Sequence, residues 1–342
     1  MGPKLCAWLN DHLLIDNDGY TRPCCGETFE QSKISHISNG ILASFNDKKL
    51  IQLRQDLNEG FSEKTRNYCR RCEIAEKNNN ASLRTTTPFI TSIREIKKIQ
   101  FKLSNKCQLA CAHCGPNYSS TWAKLNNITP HVISGNIITN EFLKEFESLF
   151  PNIDYLKFTG GEPFLDPDHW KLLEYIRKFD KSHCSLEYIT NGQTLPRFQL
   201  WEGFKQVNCT VSVDGFNKTY EWFRRGSSWE VLNSNIEILK KNANLSVSFS
   251  ITPYTIQDYF KAKEFYSAFS FHPNQVVIPA YCSFVKFPKS LLSQLTDFKD
   301  IPFAYNNSDN IGDIVFYQNW ADSWDAKWNT QGLAKNLFYW YK

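Results

Sequence analysis

Six short β-favouring runs punctuate the chain from residue 97 onward: "KIQFKLS" (98–104), "YLKFTG" (155–160), "SLEYIT" (185–190), "QVNCTVSV" (206–213), "NLSVSFSIT" (244–252) and "NQVVIPAY" (274–281). Between them, apolar residues recur at helical spacing in "NEFLKEFESLF" (140–150), "DHWKLLEYIRKF" (168–179), "WEVLNSNIEILKKN" (229–242) and "IQDYFKAKEFYSAF" (256–269). This alternation predicts an α/β fold of βαβ units on a parallel sheet, open or curled into a barrel, over residues 97–285.

In parallel α/β barrels the chemistry gathers at the C-terminal ends of the strands. Here the unusual residues fall there. "KCQLACAHC" follows the first run, "GGEP" the second, "NGQ" the third and "DGF" the fourth, while the fifth ends at "TPY". Residues 1–85 read differently, with turn signals at "DNDG" and "RPCCG", a helical stretch at "DKKLIQLRQDLNEG", and Cys6, Cys24, Cys25, Cys69 and Cys72. A polar linker is expected at 86–96, and an aromatic tail at 286–342. In that tail Trp320, Trp324 and Trp328 recur every four residues and share one face if the segment is helical. This predicts a C-terminal segment that caps the barrel by packing on its outside or across its mouth, with a platform beside the substrate as the alternative.

Hydrophobic residues at 42% and charged residues at 22% describe a globular chain with a sizeable core. The net charge of +4 is spread without a basic run or basic helical face, so no nucleic-acid partner is expected. No stretch approaches the roughly 18 consecutive apolar residues of a membrane span. The N-terminus lacks the order of a signal peptide, and a cytoplasmic location is expected. Eleven cysteines in such a compartment point to metal rather than disulfides.

Cys107, Cys111 and Cys114 stand at C-x3-C-x2-C. With 11 cysteines in 342 residues this spacing arises by chance roughly 0.01 times per chain. A structural zinc site wants four ligands, whereas a cube held by three thiolates keeps one iron open. The motif, with His113 beside Cys114 and "FTGGEPFL" (158–165) at the next strand end, resembles the radical S-adenosylmethionine (radical SAM) enzymes. The resemblance implies a partial (β/α)6, TIM-like barrel and a 4Fe–4S cluster on Cys107, Cys111 and Cys114. It further implies that SAM chelates the open iron, is cleaved by one electron, and yields a 5′-deoxyadenosyl radical that takes a hydrogen atom from the substrate. Gly160, Gly161 and Glu162 would hold the SAM amino group, and Asn191, Ser212 and Asp214 its ribose and methionyl part, with Thr252 a weaker candidate of the same kind. Asn-Gly and Asp-Gly also close strands as ordinary turns.

The N-terminal cysteines resemble SPASM/twitch auxiliary-cluster segments, placed here before the barrel instead of after it. Cys6, Cys24, Cys69 and Cys72 would close a second 4Fe–4S cluster or a zinc site, with Cys25 the alternative to Cys24. Cys184, Cys209 and Cys282 read as buried core thiols. The resulting expectation is a radical SAM enzyme that receives electrons from flavodoxin or ferredoxin and acts on a peptide. The alternatives are dehydrogenation or epimerisation of a sugar or other small metabolite, and a non-catalytic zinc-binding interaction protein.

Overall fold

The computed structural model describes residues 6–26, 30–87, 95–276, 278–284, 287–292 and 312–341. Residues 88–94 of the expected linker and 293–311 of the expected tail lie outside the described residues.

The described residues form ten strands: β1 (His12–Ile15), β2 (Thr21–Arg22), β3 (Lys98–Phe101), β4 (Ala110–Cys111), β5 (Tyr155–Phe158), β6 (Ser185–Thr190), β7 (Gln206–Ser212), β8 (Arg224–Arg225), β9 (Asn244–Ile251) and β10 (Ser270–Gln275). Eight form one sheet in the order β10-β9-β7-β6-β5-β3-β1-β2, parallel throughout except for β2, which runs antiparallel to β1. The remaining two, β4 and β8, pair antiparallel as a separate ribbon. A mostly parallel sheet with helices in the crossovers is the expected α/β architecture, consistent with a partial barrel.

The alternation along the strands decides what each face does. Leu156, Phe158, Leu186, Tyr188, Cys209 and Val211 point to one side and bury against the crossover helices, including Phe142 and Phe146 of Asn140–Leu149 and Leu172 and Leu173 of Pro167–Ile176. Burying one such phenylalanine stabilises the fold by about 2–3 kcal/mol. The helix starts are written locally: Thr139, Asp166 and Ser228 each accept a backbone N–H of the first turn. Period-two geometry sends Lys157, Glu187, Asn208, Thr210, Ser212, Ser246, Ser248 and Ser250 to the other, inner face, where they are half-buried.

Two expectations need correction. The sixth strand is not 274–281 but Ser270–Gln275, aligned on β9 from Ser270↔Ser246 to Gln275↔Ile251. It contains Pro273, which an edge strand tolerates because one side of its backbone has no partner. The boundary at residue 85 divides residues that share one sheet and one core. β1 pairs with β3, and Leu13, Ile15, Ile41, Leu50 and Leu53 pack in the same cluster as the barrel strands.

The tail helix Gly312–Lys327 joins a second core with Trp122, Trp222, Phe249 and Tyr254. No described helix is long and apolar enough to cross a membrane.

Candidate functional site

The three motif cysteines occupy the connection that leaves the C-terminal end of β3. Cys107 precedes a tight turn, Cys111 lies in β4, and Cys114 closes a turn in which its N–H donates to the Cys111 carbonyl at 3.0 Å. The first turn of the helix Ser120–Leu125 grips this loop. Ser120 Oγ and Thr121 Oγ1 both donate to the Cys107 carbonyl, at 3.1 and 2.8 Å, and Ser119 Oγ donates to the Leu109 carbonyl at 2.6 Å. The Trp122 indole donates to the Cys111 carbonyl at 2.8 Å.

The glycine–glycine–glutamate turn is fastened directly to that loop. Gly161 N donates to the Ser104 carbonyl at 3.1 Å and Glu162 N to the Lys106 carbonyl at 2.7 Å. A methyl group on Gly161 would fall 2.3 Å from the Lys106 carbonyl oxygen, and one on Gly160 would meet Lys102 and Ser104 at 3.2 Å, with φ at +115°. The close approach that these glycines permit is therefore made to the backbone just before Cys107.

Glu162 is 1% exposed, and both its carboxylate oxygens have partners. Oε1 accepts from Thr190 Oγ1 at 2.8 Å and from Phe164 N at 3.3 Å, and Oε2 accepts from Asn191 N at 2.8 Å. Burial pushes its carboxyl up to about 7, against the lowering effect of these donors. Its visible work is to tie the turn to the end of β6.

The other candidates separate. Asp214 is fully buried; it accepts from Arg224 Nη1 on one oxygen and from Ser250 N at 2.8 Å on the other. Burial opposes its charge, yet Arg224 beside it holds the carboxyl below its usual range. Each of its oxygens thus has a protein donor. Asn191 turns its amide nitrogen to Cys107 Sγ at 3.7 Å. Ser212 stays on the half-buried inner face, opposite Ser248. Thr252 is buried in its own turn, 3.0 Å from Thr255 Oγ1. His113 stacks on Phe223 with centroids 5.2 Å apart. Burial lowers its basicity.

Sequence reasoning missed Arg224. β8 pairs with β4 so that Arg224 stands opposite Cys111, and its guanidinium is the buried cation of the site. No local pattern announces a contact between residues 113 positions apart, and only the doubled arginine in "WFRRG" hints at one.

The site fits a bound cluster and its ligand. Burial raises all three thiols, Cys107 to about 12, so the ionised form needs a compensating cation. Arg224 Nε and His113 Nδ1 are buried without a hydrogen-bond partner.

A second group of thiols meets below the sheet's N-terminal edge. Cys6, Cys24, Cys69 and Cys72 all line one small pocket, together with Trp8, Phe61, Arg71 and Arg84. Cys69 and Cys72 lie one turn apart on the helix Glu63–Lys77. The Trp8 indole donates to Thr87 Oγ1 at 2.8 Å across the pocket's wall. Cys25 is absent from this lining. Among the described residues, no three His, Cys, Asp or Glu side chains are close enough to hold a single metal ion. Cys184, Cys209 and Cys282 are buried in the two cores, as expected.

The family model for the radical SAM superfamily matches residues 101–260, the segment that carries these motifs. Over these residues the chain is similar to the radical SAM superfamily. Radical SAM cyclopropyl synthase TigE of Paramaledivibacter caminithermalis is 28% identical over 48% of this chain and 37% of its own length. The antilisterial bacteriocin subtilosin biosynthesis protein AlbA of Bacillus subtilis is 28% identical over 44% of this chain and 32% of its own. GTP 3′,8-cyclase of Trichodesmium erythraeum is 26% identical over 41% and 42% respectively. The chain thus spans well under half the length of these relatives. Family model and relatives agree on the radical SAM superfamily as what this segment of the chain is similar to.

Proposed function

We propose that this chain is a radical SAM enzyme that modifies a peptide, with Cys107, Cys111 and Cys114 holding the catalytic cluster. The observation that carries the reading is the double hydrogen bond between the Gly161–Glu162 turn and Ser104–Lys106, which joins the two family motifs into one site. When bound, the cluster and SAM supply one-electron cleavage and hydrogen-atom abstraction; the protein supplies orientation and exclusion of side reactions. Glu162 fixes the turn, Arg224 supplies positive charge beside the thiolates, and the aromatic wall around Trp122 keeps water from the back of the loop. A one-electron donor of the flavodoxin or ferredoxin type is the partner this chemistry needs.

The inner face supports a neutral, hydrogen-bonding substrate such as a peptide segment. Beyond β5 it presents hydroxyls and amides, Asn208, Thr210, Ser246 and Ser248 among them. Each inner-face lysine already faces a carboxylate: Lys98 with Asp11 at 2.9 Å, Lys157 with Glu187 at 2.6 Å, Lys102 with Asp16 at 3.9 Å. Among the described residues these three lysines are matched and offer a nucleoside triphosphate no free charge, so a bacteriocin-type substrate is favoured over GTP.

Cys6, Cys24, Cys69 and Cys72 hold the auxiliary cluster in this reading. The test is iron and sulfide per chain after anaerobic reconstitution, for wild type and the triple Cys107/Cys111/Cys114→Ala variant, followed by assay of 5′-deoxyadenosine from SAM. About eight irons falling to about four in the variant supports both clusters. No iron in either protein, with zinc present, overturns the enzyme reading. Turnover of sugars but not of peptides replaces the substrate class alone.

A further inference from the structure

The Asn191 carboxamide is oriented by more than its own turn. Gln193 N donates to Asn191 Oδ1 at 2.9 Å, which fixes the oxygen and leaves the nitrogen facing Cys107. Asn191 Nδ2 then lies 3.7 Å from Cys107 Sγ and donates to Gln108 Oε1 at 3.2 Å. Gln108 is held in turn through its own Nε2, 3.3 Å from Thr194 Oγ1. The backbone N–H of Leu109 also donates to Cys107 Sγ, at 3.5 Å. Two N–H groups therefore converge on one sulfur, and the side chain that supplies one of them is 5% exposed. Neither Cys111 nor Cys114 has a side-chain N–H on its sulfur among the described contacts.

We infer that Asn191 sets the reduction potential of the catalytic cluster by hydrogen bonding to the Cys107 thiolate, and that this, not a contact with the ribose of SAM, is its role. Reduction adds negative charge to a cube and its thiolates. A donor on a ligand sulfur stabilises that charge, so hydrogen bonds to the sulfurs help to fix the potential. Gln108 acts at one remove, by holding the amide in line. The inference rests on Cys107 being a cluster ligand, and the experiment separates the two.

The experiment is an EPR-monitored redox titration of the reconstituted full-length chain without SAM, for wild type, Asn191→Leu and Asn191→Ala, with iron content and SAM affinity measured alongside. The catalytic cluster is recognised by the change in its signal when SAM is added. The expected result is unchanged iron in at least one variant, a midpoint potential more negative than wild type, and a SAM dissociation constant within about twofold of wild type. An unchanged potential at unchanged iron overturns the inference. So does a tenfold or greater loss of SAM affinity with the potential intact, which would return Asn191 to the ribose. Loss of the cluster from both variants also overturns it, by making Asn191 a scaffold residue. Failure of the ligand assignment would look different: the wild-type cluster would survive Cys107→Ala.

Discussion

Trp122 donates its indole N–H to the carbonyl of Cys111 at 2.8 Å, so the cysteine loop is held from behind by an aromatic ring. That ring is stacked on Trp324 of the C-terminal helix, with centroids 5.1 Å apart, and Trp324 donates in turn to the Trp222 carbonyl at 3.1 Å. The next residue, Asp325, accepts from the Trp222 indole at 2.8 Å and from Ala334 N at 2.8 Å. The tail thus braces both partners of the β4–β8 ribbon.

Removing Trp324 should loosen that brace. Trp324→Ala leaves a cavity in the second core, and truncations of this size cost about 3–5 kcal/mol. Urea unfolding of the anaerobic apo-protein should show that loss, and the variant should retain less iron after desalting than wild type. Full iron retention at the reduced stability would show that the tail only packs and does not brace the loop.

The Arg224–Asp214 pair is buried on both sides, at 8% and 1% side-chain exposure. A buried ion pair gives little net stability, but stripping one partner strands a charge and costs about 3–5 kcal/mol. Arg224→Met should therefore unfold at markedly lower urea than wild type. Asp214→Asn together with Arg224→Met should recover part of the loss, because the neutral amide no longer needs the guanidinium. A double variant as unstable as the sum of the singles would show that the two residues do not act as a pair.

Cys24 and Cys25 are adjacent, and only Cys24 shares the pocket with Cys6, Cys69 and Cys72. Cys24→Ser should lose about four irons per chain while Cys25→Ser keeps them. The reverse pattern would move the ligand to Cys25, and equal loss would show that both are needed.

The sequence spoke most clearly where the determinants are local. Strand ends coincide with the cysteine motif, "GGEP", "NGQ" and "DGF" because βα turns are short and put glycine and polar residues at fixed places. The core thiols Cys184 and Cys209 were legible from strand alternation for the same reason. The last strand was not, because "SFHPNQ" carries a proline and few β-branched residues, and it forms by pairing on β9 at the sheet's edge. β1 was hidden because "HLLI" is four residues long and its partner β3 lies more than eighty positions away. Arg224 and the brace from Trp324 depend on tertiary pairing alone. The glycine pair stands out in the sequence, but what it approaches, the backbone of Lys102–Lys106, could only come from the fold.

His169 gives the pH dependence a definite sign. Its Nδ1 faces the Pro163 carbonyl at 2.9 Å, which can only accept, so Nδ1 carries the proton. Nε2, 2.9 Å from Tyr188 Oη, then accepts from the hydroxyl, and the neutral ring is satisfied at both ends. Burial pushes its pKa down to about 3, whereas in the unfolded chain the imidazole takes a proton near 6.5. Between those values the unfolded state binds the extra proton, so stability is complete above about pH 6.5 and falls as the pH drops toward 3. The slope from this group is at most about 1.4 kcal/mol per pH unit. His12, also buried and pushed down to about 3, adds a share of the same sign. His169→Phe should be less stable at pH 7, because the Pro163 carbonyl and the Tyr188 hydroxyl lose a partner, yet its stability should depend less on pH between 6.5 and 4. Urea midpoints of the apo-protein across that range decide it. Parallel curves for wild type and variant would mean that His169 is not the group whose protonation opens this core.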